Sequence, residues 1–345
     1  MNNYYQGILC IFVAALLTNT RADKGVVVSP AMSISYRVVD DIGHPLQGVS
    51  CRGWIREFDA PGGGRSYSLL SDTNGIVTIN GKCSVSFTAF FTKNGYYRSR
   101  LEPCLDGDGS GSAVVEGKWL PYGETRTVVL KRIIDPWSVV VFDERFHRRR
   151  VPVFGVWIGY DLECGDWLPP FGKGKHEDVL LRFKSNVRKR RKDYNYAMDI
   201  SFTNNPYAGA YLARKDSVSD LKSERQADTN AIYQTMFSYS IEYNPNNPIK
   251  PTFLDADSYL VFRTRTEVDD SGRLIGAHYG KIYGIWRSTD SEMLMSDGCF
   301  NPSVNDPNIE GDWTLRYTVR NYNLNAVEYQ GRVLGRNTDV STATR

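Results

Sequence analysis

Short runs in which polar and apolar residues alternate recur along this chain. Residues 84–89 read Ser-Val-Ser-Phe-Thr-Ala, so every second side chain faces the same side of an extended strand. The same alternation occurs at residues 198–203, 236–243 and 314–319. Clusters rich in Gly, Asn, Asp and Pro interrupt the early runs at 40–45, 61–64, 72–75 and 93–95. Short strands separated by frequent turns predict an all-β protein made of antiparallel sandwiches.

The length and charge of the chain narrow this prediction. At 345 residues the chain is long enough for two domains. We predict an N-terminal Ig/transthyretin-like sandwich over residues 31–132 and a larger antiparallel β-sandwich-like domain over 137–322, with a frayed tail at 323–345. The 42 Lys+Arg against 39 Asp+Glu leave a formal charge of +3. Such a balance argues against nucleic acid as a main partner, because nucleic-acid-binding proteins concentrate positive charge.

The first 22 residues predict an export signal. Residues 7–17 form an apolar run that is too short to span a bilayer, and Thr20-x-Ala22 suits a signal-peptidase site. We therefore expect a secreted protein, either periplasmic, extracellular or attached to the cell surface. No later apolar run reaches 18 residues, so no membrane span is expected in the mature chain. The alternative is that residues 7–17 form a buried N-terminal strand of a cytosolic protein.

Export makes disulfides possible for the six cysteines. Cys10 falls in the predicted signal peptide, which leaves an odd number, so at least one thiol is unpaired or pairs with another molecule. We predict pairing within each half of the chain, namely Cys51 with Cys83 and Cys164 with Cys299. The spacing does not fix this connectivity. There is no C-x-x-C motif, which removes support for a redox or zinc-knuckle site.

Three ordered motifs in the first half resemble those of a known domain family. They are VVDDIGHPLQGVSC at 38–51, SDTNGI at 71–76 and FTKNGYY at 91–97. Together they resemble the carboxypeptidase-regulatory-like (transthyretin-like) β-sandwich, over roughly residues 31–132. The resemblance implies a non-catalytic accessory module with a closing strand at 125–131. The chain departs from the family pattern by an insertion at 103–118 and by its three cysteines.

Segments of the second half resemble uncharacterised secreted bacterial proteins. The resemblance is carried by residues 160–175, 259–283 and 300–310. The resemblance implies that the chain is exported and that its second half shares the architecture of these proteins, but it implies no activity.

The second half also contains carboxylates among aromatic residues, a combination that sugar-binding sites use for hydroxyl groups and ring faces. These candidate ligand-binding residues are Trp157, Tyr160, Asp161, Glu163, Asp166 and Trp167. If 156–162 is a strand, Asp161 and Glu163 share one of its faces. The alternative is that the tryptophans belong to the core and the carboxylates cap turns.

Local motifs for metals and cofactors are weak, and no cofactor is predicted. Asp106, Asp108 and Ser110 match oxygen-donor positions of a calcium loop, but position 12 is Gly117 and no helices flank the segment. The alternative is a hairpin insertion without an ion. The sequence GKGKHED at 172–178 fits neither a zinc-binding H-E-x-x-H nor a phosphate loop, and the four histidines lie far apart.

The densest basic run consists of Arg188, Lys189, Arg190, Arg191 and Lys192. It falls between two strand-like runs at 179–183 and 194–202, which predicts the tip of a hairpin. Such a run attracts anionic polysaccharides or nucleic acid, or simply forms a solvated surface.

These observations predict a non-catalytic secreted or cell-surface protein whose second domain binds a carbohydrate or a protein partner. No G-x-S-x-G nucleophile motif is present. One alternative is a glycan-active hydrolase, which would need two of the carboxylates in an open cleft, about 5 to 9.5 Å apart. Another is a structural component of an envelope or matrix.

Overall fold

The structure, a computed structural model, describes most of the chain between residues 29 and 311. The described residues are 29–103, 105, 114–136, 139–142, 148–190, 193–203, 205–216, 218–243, 257–283, 287–289, 292–294 and 298–311. Several predictions concern residues outside this set: the signal peptide at 1–22, the tail at 323–345, the calcium candidates Asp106, Asp108 and Ser110, and the basic residues Arg191 and Lys192. Cys104 also lies outside it.

The described part of the chain is built from strands, with a single 3-10 turn at Pro61–Gly63. This confirms the predicted all-β class. The chain divides into two compact units, the first formed by Met1–Ile133 with Val218–Asp220 and the second by Ile134–Ser217 with Leu221–Arg345.

The described part of the first unit contains nine strands in two sheets. They are β1 (Ala31–Asp40), β2 (Ser50–Arg56), β3 (Gly64–Leu70), β4 (Ile76–Lys82), β5 (Phe87–Thr92), β6 (Ser99–Leu101), β7 (Val114–Val115), β8 (Lys118–Trp119) and β9 (Glu124–Leu130). One sheet has the order β4-β1-β8-β7, with β9 also paired to β1. The other sheet has the order β3-β2-β5-β6. The strand expected at 125–131 is present as β9.

Alternation places the apolar residues of these strands between the two sheets. On β1, Ile34, Tyr36 and Val38 are buried, while the residues between them are more exposed until the strand nears its end. The opposite sheet contributes Phe87 and Phe91 of β5 to the same core. The rings of Tyr36 and Phe91 meet edge to face at 5.2 Å. The first unit is therefore a β-sandwich.

In the second unit, the described residues form thirteen strands. They are β10 (Val140–Phe142), β11 (Arg148–Arg150), β12 (Ile158–Asp161), β13 (Asp166–Trp167), β14 (Val179–Arg190), β15 (Asp193–Ser201), β16 (Gly209–Arg214), β17 (Met236–Tyr243), β18 (Ser258–Val268), β19 (Leu274–Ile282), β20 (Arg287–Thr289), β21 (Glu292–Leu294) and β22 (Gly298–Phe300). The sheet orders are β13-β12-β14-β15-β17, β10-β22-β19-β18-β16 and β11-β21-β20. Below, the first is called the outer sheet and the second the central sheet.

The main core of the second unit lies between the outer and central sheets. Phe183 and Met198 from the outer sheet pack with Phe262 and Phe300 from the central sheet. A second cluster, including Tyr259 of β18, covers the other face of the central sheet. Because β18 is covered on both faces, the seven residues from Ser258 to Thr264 are all buried. The polar residues of this strand therefore need partners inside the protein.

The predicted disulfide between Cys51 and Cys83 is wrong, because both residues carry thiols. Cys51 lies against the hydroxyl of Tyr67. The Sγ of Cys83 instead donates to the carbonyl of Ser86 at 3.4 Å. The two buried thiols thus have separate polar partners within the first core.

The predicted disulfide between Cys164 and Cys299 is wrong for a similar reason. The Sγ of Cys299 donates to the carbonyl of Ile309 at 3.5 Å. The thiol of Cys164 hydrogen bonds to the carboxylate of Asp161. Burial and this negative charge raise the pKa of Cys164 to about 12, so the thiol stays protonated at neutral pH.

Candidate functional site

Two of the predicted ligand-binding aromatic residues belong to the core. Tyr160 is fully buried and Trp167 is 2% exposed. Their rings meet edge to face at 5.0 Å, and Trp167 also packs on Phe183 at 6.0 Å. Neither ring has a face open to a ligand, which corrects the prediction for these two residues. Trp157 differs from both, since its side chain is only half-buried.

The carboxylate of Asp161 organises the turn that follows β12. Its Oδ1 accepts the backbone N–H groups of Glu163 and Cys164, each at 3.0 Å. Its Oδ2 accepts those of Lys175 and His176 at 2.8 and 3.0 Å. Burial opposes ionisation of Asp161, but these backbone donors outweigh it and lower the pKa of the carboxyl. Asp161 therefore acts as a buried anion that joins two loops.

Arg265 joins this turn to the central sheet. Its Nε and Nη2 donate to the two carboxylate oxygens of Asp178 at 2.7 and 2.9 Å. Its Nη1 donates to Glu163 at 2.6 Å, and its Nη2 also lies 3.3 Å from Asp161. The guanidinium covers the ring of Phe300 at 4.5 Å. These five residues are named the Arg265 cluster.

A β-bulge places Arg265 at this position. The register between β18 and β19 shifts between Thr264 and Glu267. Arg265 has a φ of 48°, a left-handed conformation that residues other than glycine adopt uncommonly. Asp178 is fully buried, and besides Arg265 it binds the backbone N–H of Leu162 at 2.8 Å. Several partners thus hold the strained backbone of Arg265 in place.

The predicted carboxylates are therefore engaged in the architecture of the unit. Asp161 and Glu163 belong to the Arg265 cluster. Asp166 accepts the backbone N–H groups of Trp167 and Lys173 at 2.9 and 3.1 Å. This arrangement corresponds to the alternative in which the carboxylates cap turns, and it disfavours an open pair of catalytic carboxyls.

A second group of charged residues lies on the other face of the outer sheet. Along β14, Val179, Leu181 and Phe183 are buried in the core. By the period of a strand, Arg182 and Lys184 then face away from it, and their side chains are 36% and 46% exposed. The hairpin that the sequence predicts between 179–183 and 194–202 is present as β14 and β15.

Asp199 of β15 lies directly opposite Arg182 and binds both cations. Its Oδ2 accepts Nε and Nη2 of Arg182 at 3.0 and 2.6 Å. Its Oδ1 lies 2.6 Å from Nζ of Lys184 and 2.8 Å from Oγ of Ser238. Burial opposes ionisation of Asp199, but Lys184, Arg182 and Ser238 outweigh it and lower the pKa of the carboxyl.

Trp157 completes this group. The guanidinium of Arg182 stacks on the indole ring at 4.6 Å. Trp157, Arg182, Lys184, Asp199 and Ser238 are named the Trp157 platform. The platform combines a half-buried aromatic ring, two cations and an exposed hydroxyl around the buried carboxylate of Asp199. Aromatic rings, cations and hydroxyls are groups that bind polar, hydroxyl-rich ligands.

The basic run continues the strand that carries the platform. Arg188, Lys189 and Arg190 lie on β14 beyond Lys184, with Arg188 opposite Tyr194 and Arg190 opposite Asp193. The sequence patterns mark this run and Trp157, but they do not mark Arg182 and Asp199. The two residues carry opposite charges on the two arms of the predicted hairpin, but their pairing depends on two register shifts in β14 that the sequence does not mark.

Neither a group of metal ligands nor a membrane-spanning helix is found among the residues that the structure describes. Within them, no three His, Cys, Asp or Glu side chains are grouped in a way that could hold a metal ion. Nor does this part of the chain contain a helix of the length and apolarity needed to cross a bilayer.

Comparison with known proteins does not identify a family. No family model and no curated protein matches the chain. A 3-chlorocatechol 1,2-dioxygenase from Rhodococcus opacus aligns over 33% of this chain and 63% of its own, at 15% identity and a TM-score of 0.25. A catechol 1,2-dioxygenase from Acinetobacter aligns over 33% and 56%, at 12% identity and a TM-score of 0.25. This chain thus spans less than two thirds of either protein, and at such TM-scores the likeness assigns no chemistry to it.

Proposed function

We propose that this is a non-catalytic secreted or cell-surface protein that binds a carbohydrate or protein partner through the Trp157 platform. The observation that carries the proposal is the stack of Arg182 on Trp157 at the accessible face of the outer sheet. Asp199 fixes the position of Arg182, so the stack is already formed before a ligand arrives. Prior ordering of this kind lowers the entropy cost of binding.

The carboxylates of the second unit support a binding role over hydrolysis. A glycosidase needs one carboxyl that protonates a leaving group and a second that attacks or activates water. Both carboxylate oxygens of Asp161 instead accept hydrogen bonds from backbone N–H groups, and Glu163 is paired with Arg265. The described residues thus favour the Trp157 platform as the place where a partner binds.

For the first unit we propose the accessory role that its resemblance to the carboxypeptidase-regulatory-like sandwich implies. Its two-sheet architecture and the presence of β9 at the expected position support this proposal. Export, which the apolar run at 7–17 predicts, is part of the same proposal, since accessory and binding modules of this kind are expected outside the cytosol.

The proposal is tested by a matched pair of tryptophan substitutions. The purified protein is applied to immobilised neutral and anionic polysaccharides and to a peptide array, and the release of new reducing ends is followed in the same wells. We expect Trp157→Ala to weaken binding about tenfold, the effect of losing about 1.4 kcal/mol. Trp54→Ala is the control, because Trp54 is a 44% exposed tryptophan of the first unit.

Three results would contradict the proposal. Equal weakening by both substitutions would show that binding depends on surface tryptophans in general. Unchanged binding in Trp157→Ala would place the site elsewhere. The appearance of new reducing ends would make the protein an enzyme. Thermal unfolding of each variant shows whether the fold is kept.

A further inference from the structure

We infer that the ligand of the Trp157 platform is an acidic polysaccharide, one whose sugar rings carry carboxylate or sulfate groups. This inference rests on the proposed function and adds the chemical class of the ligand. It depends on the charges of the platform and on the direction in which β14 continues.

The platform carries one net positive charge. Arg182 and Lys184 both bind Asp199, so two cations share one carboxylate. Arg182 approaches Asp199 from the side, through Nε and Nη2. This leaves its Nη1 on the far side of the guanidinium, where a second anion can be bound. Guanidinium groups bind carboxylates and sulfates through several parallel hydrogen bonds, which gives both strength and orientation.

The sequence of β14 adds further basic residues after Lys184. Beyond Lys184, strand β14 continues through Arg188, Lys189 and Arg190. The six residue steps from Lys184 to Arg190 span about 20 Å at the rise of a β-strand. A single acidic sugar would occupy only one end of this distance. A chain of acidic sugars is long enough to reach from Lys184 to these later basic positions of the strand.

The neighbouring groups favour a polysaccharide over a nucleic acid. Ser238 lies beside the two cations on Asp199 and offers a hydroxyl group to sugar hydroxyls. Duplex DNA carries one negative charge per about 1.7 Å, and a protein that binds it neutralises many phosphates at once. One net charge at the platform, with a carboxylate at its centre, suits a ligand whose charges are more widely spaced. The indole ring also presents an apolar surface of the kind that sugar rings stack on.

The test compares two polymers that differ only in charge. Polygalacturonate and its fully methyl-esterified form have the same backbone, but the ester has no carboxylates. We expect the full-length protein to bind polygalacturonate at least about tenfold more tightly than the ester at low salt, and this preference to shrink as salt is added. Single-stranded DNA of similar length is the third probe.

Substitutions then show which residues cause the preference for polygalacturonate over its ester. Arg182→Gln and Lys184→Gln are each expected to weaken binding to polygalacturonate about tenfold, and to weaken binding to the ester less than that. Arg273→Gln is the matched control, because Arg273 is also paired with an aspartate, Asp269, but is 81% exposed on the turn between β18 and β19. Thermal unfolding confirms that each variant keeps its fold. Arg188→Gln tests the same prediction at a position distant from Asp199.

The outcomes separate this inference from the proposed function. Equal binding of both polymers, lost in Trp157→Ala, would overturn the acidic ligand and leave carbohydrate binding intact. Binding of a peptide but of neither polymer would likewise overturn the inference alone. Tighter binding of DNA than of polygalacturonate would replace the polysaccharide with a nucleic acid. If no polymer, peptide or DNA binds, both the inference and the proposed function fail.

Discussion

The second unit contains two arginines in nearly the same chemical setting but with different exposure. Arg265 covers the ring of Phe300 at 4.5 Å, and Arg182 covers the ring of Trp157 at 4.6 Å. Each guanidinium also forms two hydrogen bonds with an aspartate. The Arg265 side chain is 15% exposed, whereas that of Arg182 is 36% exposed.

This difference decides what each group can do. In the Arg265 cluster, three carboxylates of the protein surround the guanidinium and form ion pairs with it. In the Trp157 platform, one carboxylate serves two cations, so anion-binding capacity remains at the surface. The same pair of residue types therefore supports the fold in one place and, in the function proposed above, a binding surface in the other. Three predictions test whether the two clusters differ in this way.

The largest effect is expected from Arg265→Ala. The substitution leaves the fully buried Asp178 without its cation, and breaking a buried ion pair in this way costs about 3 to 5 kcal/mol in the free energy of unfolding. Arg182→Ala is the matched substitution, and we expect it to cost about 1 kcal/mol or less, since Lys184 and Ser238 still bind Asp199. Urea denaturation of both variants measures the difference. Similar costs for the two would remove the distinction between the clusters.

A smaller effect is expected in acid. The folded protein holds the pKa of Asp161 below its ordinary value, which is about 3.9 in an unfolded chain. The stability that the ionised Asp161 contributes is therefore complete above about pH 4, and it is lost as the pH falls through the pKa of the folded state. Asp161→Asn should cost about 2 kcal/mol at pH 7, the range for hydrogen bonds to a charged group. Its stability should then fall less steeply below pH 4.

Asp199→Asn is the control for this prediction. The pKa of Asp199 is also lowered, so its contribution is lost in the same direction. The partners of Asp199 are exposed side chains, and we therefore expect a smaller cost at pH 7 and a smaller change in acid. Urea unfolding at pH 7, 4 and 3 compares the two variants. A larger effect at Asp199 than at Asp161 would contradict the assignment of the Arg265 cluster as the structural one.

The smallest effect concerns a reaction rate at Cys164. Its pKa of about 12 predicts slow alkylation by iodoacetamide at pH 8, because the thiolate is the reactive form. Asp161→Asn removes the nearby negative charge, which should lower this pKa and speed alkylation. Peptide mass spectrometry follows the reaction, with Cys51 and Cys83 as internal controls that should not change. A shifted pKa displaces the pH profile of the rate, whereas local opening would raise the rate at every pH.

Local patterns in the sequence account for the strands of both units. The alternation at Met198 and Ile200, and at Phe237 and Tyr239, predicts which side chains enter the second core, and all four are buried there. The turn at 269–272 predicts the hairpin of β18 and β19, and this hairpin is present. Such features depend on neighbours in sequence, so one chain suffices to find them.

The Arg265 cluster could not be found in this way. Arg265 meets Glu163 and Asp161 across 102 and 104 residues of sequence. Its position also depends on a bulge, and residues 258–268 of β18 contain no glycine that marks one. The disulfide prediction failed for a related reason, since it assumed that cysteines in the same half meet. Contacts between distant segments depend on how the sheets pack, which a local pattern does not encode.

The pairing of β1 has a consequence for how the first unit is made. Residues Ile34 to Asp40 pair in parallel with Glu124 to Leu130, while the opposite edge of β1 pairs with β4. During synthesis, one edge of β1 stays open until the ribosome has added about 90 further residues. Contacts so distant in sequence slow folding, because the chain must lose the entropy of closing a long loop before it gains them. A chain that stops before Glu124 would keep this edge open, and an open edge strand can pair with another molecule and start aggregation.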